Sequence, residues 1–411
     1  MTTWRRTGRA AALAATIASI ACSRAPRRPD VLTIEPIALA APAGSAQPNL
    51  SAFGEPAIFS WVETVSAETS GEASRATLKF VERTGNGWSE PHTVASGSDW
   101  FVNSADVPSV VRLDGRTLVA HWLQNTDVHR EAYDIHMSWS ADGGATWSTP
   151  VMPHHDGTTT QHGFATLFPM PAARLGVVWL DGRATADPEN DNMSVRAAIF
   201  DRTGHQLSES LVDDRVCDCC PTAAAAIGDG AIALYRDRSA TEVRDIAAAR
   251  LVNGAWTPPA LVHADNWKIE ACPVNGPAIS VRDRDVAVAW MTADGEQGHA
   301  FAAFSSDAGA TFGAPIRLDE AGSQGRVGIA LVDSSTAYAT WIEFSNGKAQ
   351  WLVRRIDRLG HRGPTQAVAG LAADRASGYP RIARSGGELL FAWTETVSGQ
   401  PRVRTAAARS F

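Results

Sequence analysis

The chain has 411 residues, a formal charge of −7 and no block of basic residues, a balance that excludes nucleic acid as an expected partner. Its length suits two average domains or one large repetitive domain, so internal repeats decide the organisation.

The first 22 residues read as a processing segment. Arg5, Arg6 and Arg9 form a positive n-region, and Ala10 to Ala21 is an apolar run too short to span a bilayer. Small residues before Cys22 resemble a bacterial lipoprotein cleavage site. Export is expected either way: to the periplasm or outer membrane with a lipid anchor at Cys22, or by plain secretion. Residues 23–30, rich in Arg and Pro, read as a tether, and residues 31–411 as one domain. Val31-Leu32-Thr33-Ile34 then has the β-branched composition of a strand with no partner before it.

From there one period runs to the end. Each unit holds a pair of short strand-like runs, the second carrying an aromatic followed by a polar or acidic residue: Trp61, Trp122, Trp179, Tyr235, Trp290, Trp341 and Trp393. Neighbouring aromatics lie 51 to 61 residues apart, the length of a four-strand unit. Turns such as Asp114-Gly115, Asp229-Gly230 and Gly386-Gly387 separate the first two strands. Seven units result, with six as the alternative if one is absorbed differently. After Trp393 there is room for only one more strand, Pro401 to Ala407. The segment Val31 to Ile34 is therefore expected to supply the missing fourth strand and close a ring, which removes exposed sheet edges.

Two units share an eight-residue pattern, S-x-D-x-G-x-T-W/F. It reads Ser140-Ala141-Asp142-Gly143-Gly144-Ala145-Thr146-Trp147 and again Ser305-Ser306-Asp307-Ala308-Gly309-Ala310-Thr311-Phe312. Asp and Ser side chains accept turn amide hydrogens, the glycines supply positive φ, and the closing aromatic packs over the turn. The pattern matches the Asp-box, or BNR repeat, and the chain resembles the sialidase/neuraminidase-like propellers, most nearly exported sialidase-like proteins with Cys-rich loops at their blade starts. The resemblance implies an all-β fold, a β-propeller of four-stranded antiparallel blades, with the boxes away from the active site.

In such a blade the first-to-second and third-to-fourth turns share one face, while the second-to-third and blade-to-blade loops share the other. Asp-boxes and short Gly turns fall on the first face. The second receives residues 100–106, 121–134, 154–162, 181–192, 213–220, 236–245, 266–275, 324–326 and 377–381, which hold nearly all the unusual polar residues. A site for a glycan or another small anionic ligand is expected there, at the mouth of the central channel.

Four cysteines remain beyond Cys22. Cys217, Cys219 and Cys220 precede one inner strand and Cys272 the next, so all four should meet near the channel. Disulfides are one reading for an exported protein. The other is a thiolate site for copper or zinc, with His121, His129 or His162 as extra ligands, although Cys-x-Cys-Cys lacks the spaced pairs of a structural zinc site. A metal- or thiol-dependent protein and a non-catalytic binding propeller therefore stand beside the glycan reading.

The chemistry implied by the resemblance, that of an exo-α-sialidase-like hydrolase, needs three arginines on the substrate carboxylate, an acid for proton transfer and a Tyr activated by a Glu. Asp106 and Tyr379 are the best-placed acid and tyrosine. Arg236, Arg238, Arg244, Arg326 and Arg381, with His121 and Asp181, are the substrate-binding candidates. The sequence departs from that family in two respects: Asn49-Leu50-Ser51-Ala52-Phe53 stands where sialidases open the first blade with Arg-Ile-Pro, and no Glu is evidently paired with Tyr379. Arg236-Asp237-Arg238 and Arg244-Asp245 read equally well as internal ion pairs that hold a loop. A monomer is expected.

Overall fold

The computed structural model describes residues 1–4, 31–65, 74–129, 131–345, 347–372 and 377–409. The apolar run, Cys22 and the tether expected before residue 31 lie outside the described residues. From residue 34 onward the chain winds into a seven-bladed β-propeller of antiparallel blades. Blade one is Ser45–Ser51, Ile58–Val65, Arg75–Glu82 and His92–Gly97, from the inner strand outward. Blade three is His162–Met170, Arg174–Asp181, Met193–Phe200 and Gln206–Val216. Blade four is Ala223–Ile227, Gly230–Arg236, Ile246–Val252 and two outer fragments, Ala255–Trp256 and Ala260–Leu261. Blade five is Ala278–Arg282, Asp285–Asp294, Gln297–Ser305 and Ile316–Arg317, and blade six is Ser323–Leu331, Thr336–Ser345, Lys348–Asp357 and Gln366–Leu371.

Blade two is incomplete. Ser109–Asp114, Thr117–Asp127 and Ala132–Ser140 pair in order, but the fourth strand shrinks to one bridge between Met137 and Val151. The chain then crosses to blade three through a loop, residues 152–161, that carries two histidines.

Blade seven joins the chain ends. Arg381–Ser385, Glu388–Val397 and Gln400–Arg409 are completed by Ile34–Ile37, whose residues pair with Ala408 back to Thr405. The closing strand begins three residues later than its β-branched composition suggests, because Leu32 is used elsewhere. Its side chain is buried against blades six and seven, and its N–H and C=O bond the Gln366 side chain at 2.9 and 2.8 Å.

Each repeating aromatic sits on the second strand of its blade, and in blades one, three and six its neighbour two residues on explains the pattern. The indole N–H of Trp61 donates to Glu63 at 3.0 Å, that of Trp179 to Asp181 at 2.8 Å and that of Trp341 to Glu343 at 2.8 Å. A buried indole needs an acceptor, and residues i and i+2 of a strand share a face, so the carboxylate is within reach. Each Asp-box forms as expected. Asp142 accepts from the Thr146 N–H and hydroxyl, and Ser140 Oγ accepts from the Gly144 N–H. Gly144 has φ +89°, and a Cβ there would collide with Phe80 of blade one, against which Trp147 also packs edge-on. The box thus fastens one blade to the preceding one.

Removal of residues 1–37 should uncover the edge of Gln400–Arg409. The expected outcome is a thermal midpoint several degrees lower and concentration-dependent association in gel filtration. A truncated protein that melts like the full chain and stays monomeric would overturn this account of closure.

Candidate functional site at the channel mouth

The face carrying the blade-to-blade loops is built from inner-strand starts, and three of these are bulged. Register shifts interrupt the pairing after Ala46 in blade one, between the partners of Leu180 and Val178 in blade three, and after Gly325 in blade six. At each shift a non-glycine residue takes positive φ: Gln47 at 56°, Phe164 at 51° and Arg326 at 51°. Such bulges cost energy and re-aim side chains.

Beneath them lies a cavity of about 190 Å³, lined among others by Asp106, Ser109, Phe164, Thr222, Tyr379 and Arg381. Asp106 is 1 % exposed. Its Oδ2 accepts the Phe164 N–H at 2.7 Å, while its Oδ1 is buried with no hydrogen-bond partner. Burial outweighs that one bond and pushes its carboxyl up to about 7. Gly163 lets the next strand come this close, since a Cβ there would collide with Asp106 Oδ2 and the Tyr133 ring. Arg381 lines the same cavity from blade seven. Its Nε is buried without a hydrogen-bond partner, its guanidinium makes no hydrogen bond or ion pair among the described residues, and its Cζ lies 5.8 Å from the centre of the Tyr379 ring.

The remaining candidates divide by place. Tyr379 faces the cavity, but its hydroxyl donates to the Val274 carbonyl, and burial pushes its ionisation well up, so it holds its proton. The backbone N–H of Arg326 donates to Asn275 Oδ1 at 2.8 Å, and its guanidinium bonds the Ser377 hydroxyl. Arg236, Arg238 and Arg244 do not join Arg381 in this cavity. The guanidinium of Arg236 donates to the Asn275, Arg244 and Met291 carbonyls at 2.7–2.9 Å. Arg238 pairs with Glu242 and Asp191 at 2.8 Å, and Arg244 with Glu242 at 2.8 Å. These partners pin the second-to-third loop of blade four, so a three-arginine clamp of Arg236, Arg238 and Arg381 is not assembled. The sequence could not exclude it, because the Arg236 acceptors are carbonyls as far as 55 residues away. His121 is fully buried in blade two, with Nδ1 2.9 Å from Ser109 Oγ, and burial lowers its pKa to about 3. Asp181 accepts from Trp179 Nε1 and from Arg183 at 2.7–2.8 Å, and so holds the blade-three loop.

The four cysteines do meet. Cys219 and Cys272 form a disulfide across the starts of blades four and five, with Cα atoms 6.0 Å apart. Cys217 and Cys220 are buried thiols with sulfurs 3.1 Å apart, and Cys217 Sγ lies 3.8 Å from Cys219 Sγ. A four-sulfur copper or zinc site is thereby ruled out while the disulfide stands, since two of the sulfurs are bonded to each other. The Cys217 thiol is held below its ordinary range, first by the hydrogen bond from Cys220 and further by Arg236 and Arg244, the Nη1 of Arg244 lying 3.5 Å from the Cys217 sulfur.

His162 sits elsewhere than expected of an extra cysteine ligand. Its ring stacks on His154 at 3.8 Å between centroids, with Asp134 at one edge and Asp156 at the other. Sequence reasoning did not single out Asp134, His154 or Asp156. The available signal was the run His154-His155-Asp156 with His162 in a single short loop.

Two measurements test this description. In the chain-entropy treatment, a disulfide closing 53 residues is worth about 4 kcal/mol, so Cys272→Ser should lower unfolding stability by about 2–4 kcal/mol; a loss within error would refute a stabilising bridge. Asp106 keeps its proton to about pH 7 when folded but loses it near 3.9 when unfolded. The unfolded chain then binds fewer protons across that window, and the stability contributed at this position falls as pH rises from about 4 to 7. In urea melts, Asp106→Asn should therefore gain on the wild type over this range, by a few kcal/mol in order of magnitude. A difference that stays constant from pH 4 to 8 would contradict a buried, raised carboxyl.

No family model matches the chain, and no curated protein matches it. Solved structures do. A protein of unknown function from Dyadobacter fermentans is similar at 14% identity and TM-score 0.54, over 94% of this chain and 100% of that one. The polysaccharide lyase Uly1 is similar at 10% identity and TM-score 0.54, over 91% of each chain. The phage phi92 endosialidase is matched at 11% identity and TM-score 0.49, over 92% of this chain and 69% of that one. At these identities the likeness is one of architecture alone, and by architecture the chain is a seven-bladed β-propeller.

Proposed function

We propose that the channel mouth binds an anionic glycan through Arg381 and acts on it with Asp106 as the proton-transfer group. The observation that carries this reading is a guanidinium without hydrogen bond or ion pair among the described residues, lining the same cavity as a carboxyl raised to about 7. A desolvated charge without a counter-charge is costly, and an incoming carboxylate or sulfate would remove that cost. With Asp106 protonated, the cavity carries net positive charge toward such a ligand. A carboxyl that titrates near 7 both gives and takes protons at neutral pH, as general acid or base catalysis requires. The fold shared with a polysaccharide lyase agrees with a glycan as ligand. The activated tyrosine of sialidases is not part of this proposal, because the Tyr379 hydroxyl is committed to Val274. The Cys219–Cys272 disulfide supports the exported location expected from residues 1–22.

A second reading, a thiol-dependent protein, is favoured by one observation: the low-pKa Cys217 thiol lies beside both Cys220 and a disulfide. One set of assays separates the two. Binding and turnover are measured on sialosides and on uronate- or sulfate-bearing oligosaccharides, with neutral oligosaccharides as controls. Arg381→Ala should weaken binding of anionic glycans by about tenfold or more, Asp106→Asn should abolish turnover while retaining binding, and Cys217→Ser should change neither. Binding without turnover in the wild type leaves a non-catalytic propeller. Equal binding of neutral glycans, or binding lost in Cys217→Ser and kept in Arg381→Ala, would overturn the proposal.

A further inference from the structure

We propose that Asp134, His154 and His162 bind one divalent transition-metal ion of the zinc class, which ties blade two to blade three where blade two lacks its fourth strand. The three residues come from different elements: Asp134 from the third strand of blade two, His162 from the start of the inner strand of blade three, and His154 from the loop between them. Their ligand atoms lie within 4.8 Å of one another. Asp134 Oδ1 is 3.2 Å from His162 Nδ1 and 3.7 Å from His154 Nε2. A tetrahedral centre with bonds of about 2.0–2.1 Å has ligand–ligand edges of about 3.3–3.4 Å. The spacing is close to such an edge, but the two rings lie face to face with their in-plane lone pairs parallel, so one ring must tilt before both nitrogens can meet one ion.

The state of the ring nitrogens is the second, independent observation. His154 is 3 % and His162 0 % exposed, and His154 Nε2 and both nitrogens of His162 have no hydrogen-bond partner. Buried imidazole nitrogens are normally satisfied. The two rings are parallel within 7°, so each turns one nitrogen toward Asp134 and the other toward Asp156. With one ring tilted out of the stack, a cation at one edge would satisfy one nitrogen of each ring, leaving the opposite N–H groups to donate to a carboxylate. That is the usual outer arrangement of metal-bound histidine.

The two edges are not equivalent. At the Asp156 edge Arg183 is already present, 3.4 Å from Asp156 Oδ2 and 2.7 Å from Asp181 Oδ1, and Trp179 also donates to Asp181. A guanidinium and a divalent cation would repel each other there. The Asp134 carboxylate has no arginine or lysine partner among the described residues, only the two histidines, and is 16 % exposed, which leaves a route from solvent. The metal is therefore assigned to the Asp134 edge, with Asp156 as the outer carboxylate, held by the Thr158 N–H at 3.0 Å. The loop bearing His154 is fixed independently, since Gln206 of blade three bonds the Pro153 carbonyl and the His155 ring at 3.1 Å. Two imidazoles and one carboxylate suit zinc and its neighbours in the first transition row better than calcium or magnesium. Three protein ligands leave a fourth position for water or an anionic group.

The test is metal uptake by the protein carrying Cys217→Ser and Cys220→Ser, so that thiols do not contribute. After treatment with chelator and desalting, zinc is titrated by calorimetry and the bound metal is counted by mass spectrometry. One equivalent per chain is expected, with a higher thermal midpoint on zinc addition. Cobalt in place of zinc should give the visible absorption of a four-coordinate centre without sulfur charge-transfer bands. Asp134→Asn, which changes little volume and melts like its parent in chelator, should lose stoichiometric uptake and the zinc-induced stabilisation. Asp156→Asn should bind about 10–100-fold more weakly. The assignment falls if no stoichiometric zinc is taken up, if Asp134→Asn binds like its parent, or if calcium binds as tightly as zinc.

Discussion

Four residue pairs between Ile34–Ile37 and Thr405–Ala408 hold the ring shut, and the site exists only because they do. Asp106 stands between blades one and two, Phe164 begins blade three, and Tyr379 and Arg381 begin blade seven. No two of these segments are near in sequence. They face one cavity because seven inner strands start around a single axis, and the axis is fixed only when the last blade takes a strand from the other end of the chain. Closure also spares the protein an exposed β edge on Gln400–Arg409. Leu32, anchored through Gln366 to blade six, extends the joint over one more blade.

The blades were legible because their physics is local. A tryptophan and a carboxylate two residues apart, as in Trp61 and Glu63 or Trp341 and Glu343, satisfy each other on one strand, and an Asp-box satisfies itself within eight residues. Such patterns survive in the sequence as periodicity. The loops sort to their faces by the same counting, and the meeting of Cys217, Cys219, Cys220 and Cys272 follows from strand order alone.

Partners at long range were not legible. Arg236 and Arg381 both sit where an arginine would suit an anion, and only their surroundings separate them. Arg236 is wrapped by the backbone carbonyls of Asn275, Arg244 and Met291, whereas Arg381 lines the cavity without such acceptors. Likewise, any of three cysteines could have paired with Cys272, and the bridge is made by Cys219. The pair of Asp134 and His154 was invisible because blade two drops its outer strand, and the loop that replaces it folds back over strands that sequence reasoning had treated as a complete blade.

The rim of the cavity is tied at several points, and the ties bear on chemistry. Successive inter-blade loops are tied in different ways: the blade two-to-three loop by Thr158, Gln206 and the stacked histidines, the three-to-four and four-to-five loops by the Cys219–Cys272 disulfide and the Arg236 carbonyl bonds. Positive φ at Gln47, Phe164 and Arg326 must be held by such ties, since an untethered loop would relax to commoner backbone angles. The raised Asp106 carboxyl depends on its burial within that tied rim. A carboxyl stays neutral near pH 7 only while water is kept from it, and a mobile rim would admit water and return the group to its ordinary range. Arg381 makes the complementary demand, because its charge draws an anion strongly only in a site that does not let solvent screen it. A neutral acid and a cation that is unpaired among the described residues thus share one small cavity, and burial of the acid is what keeps it neutral there.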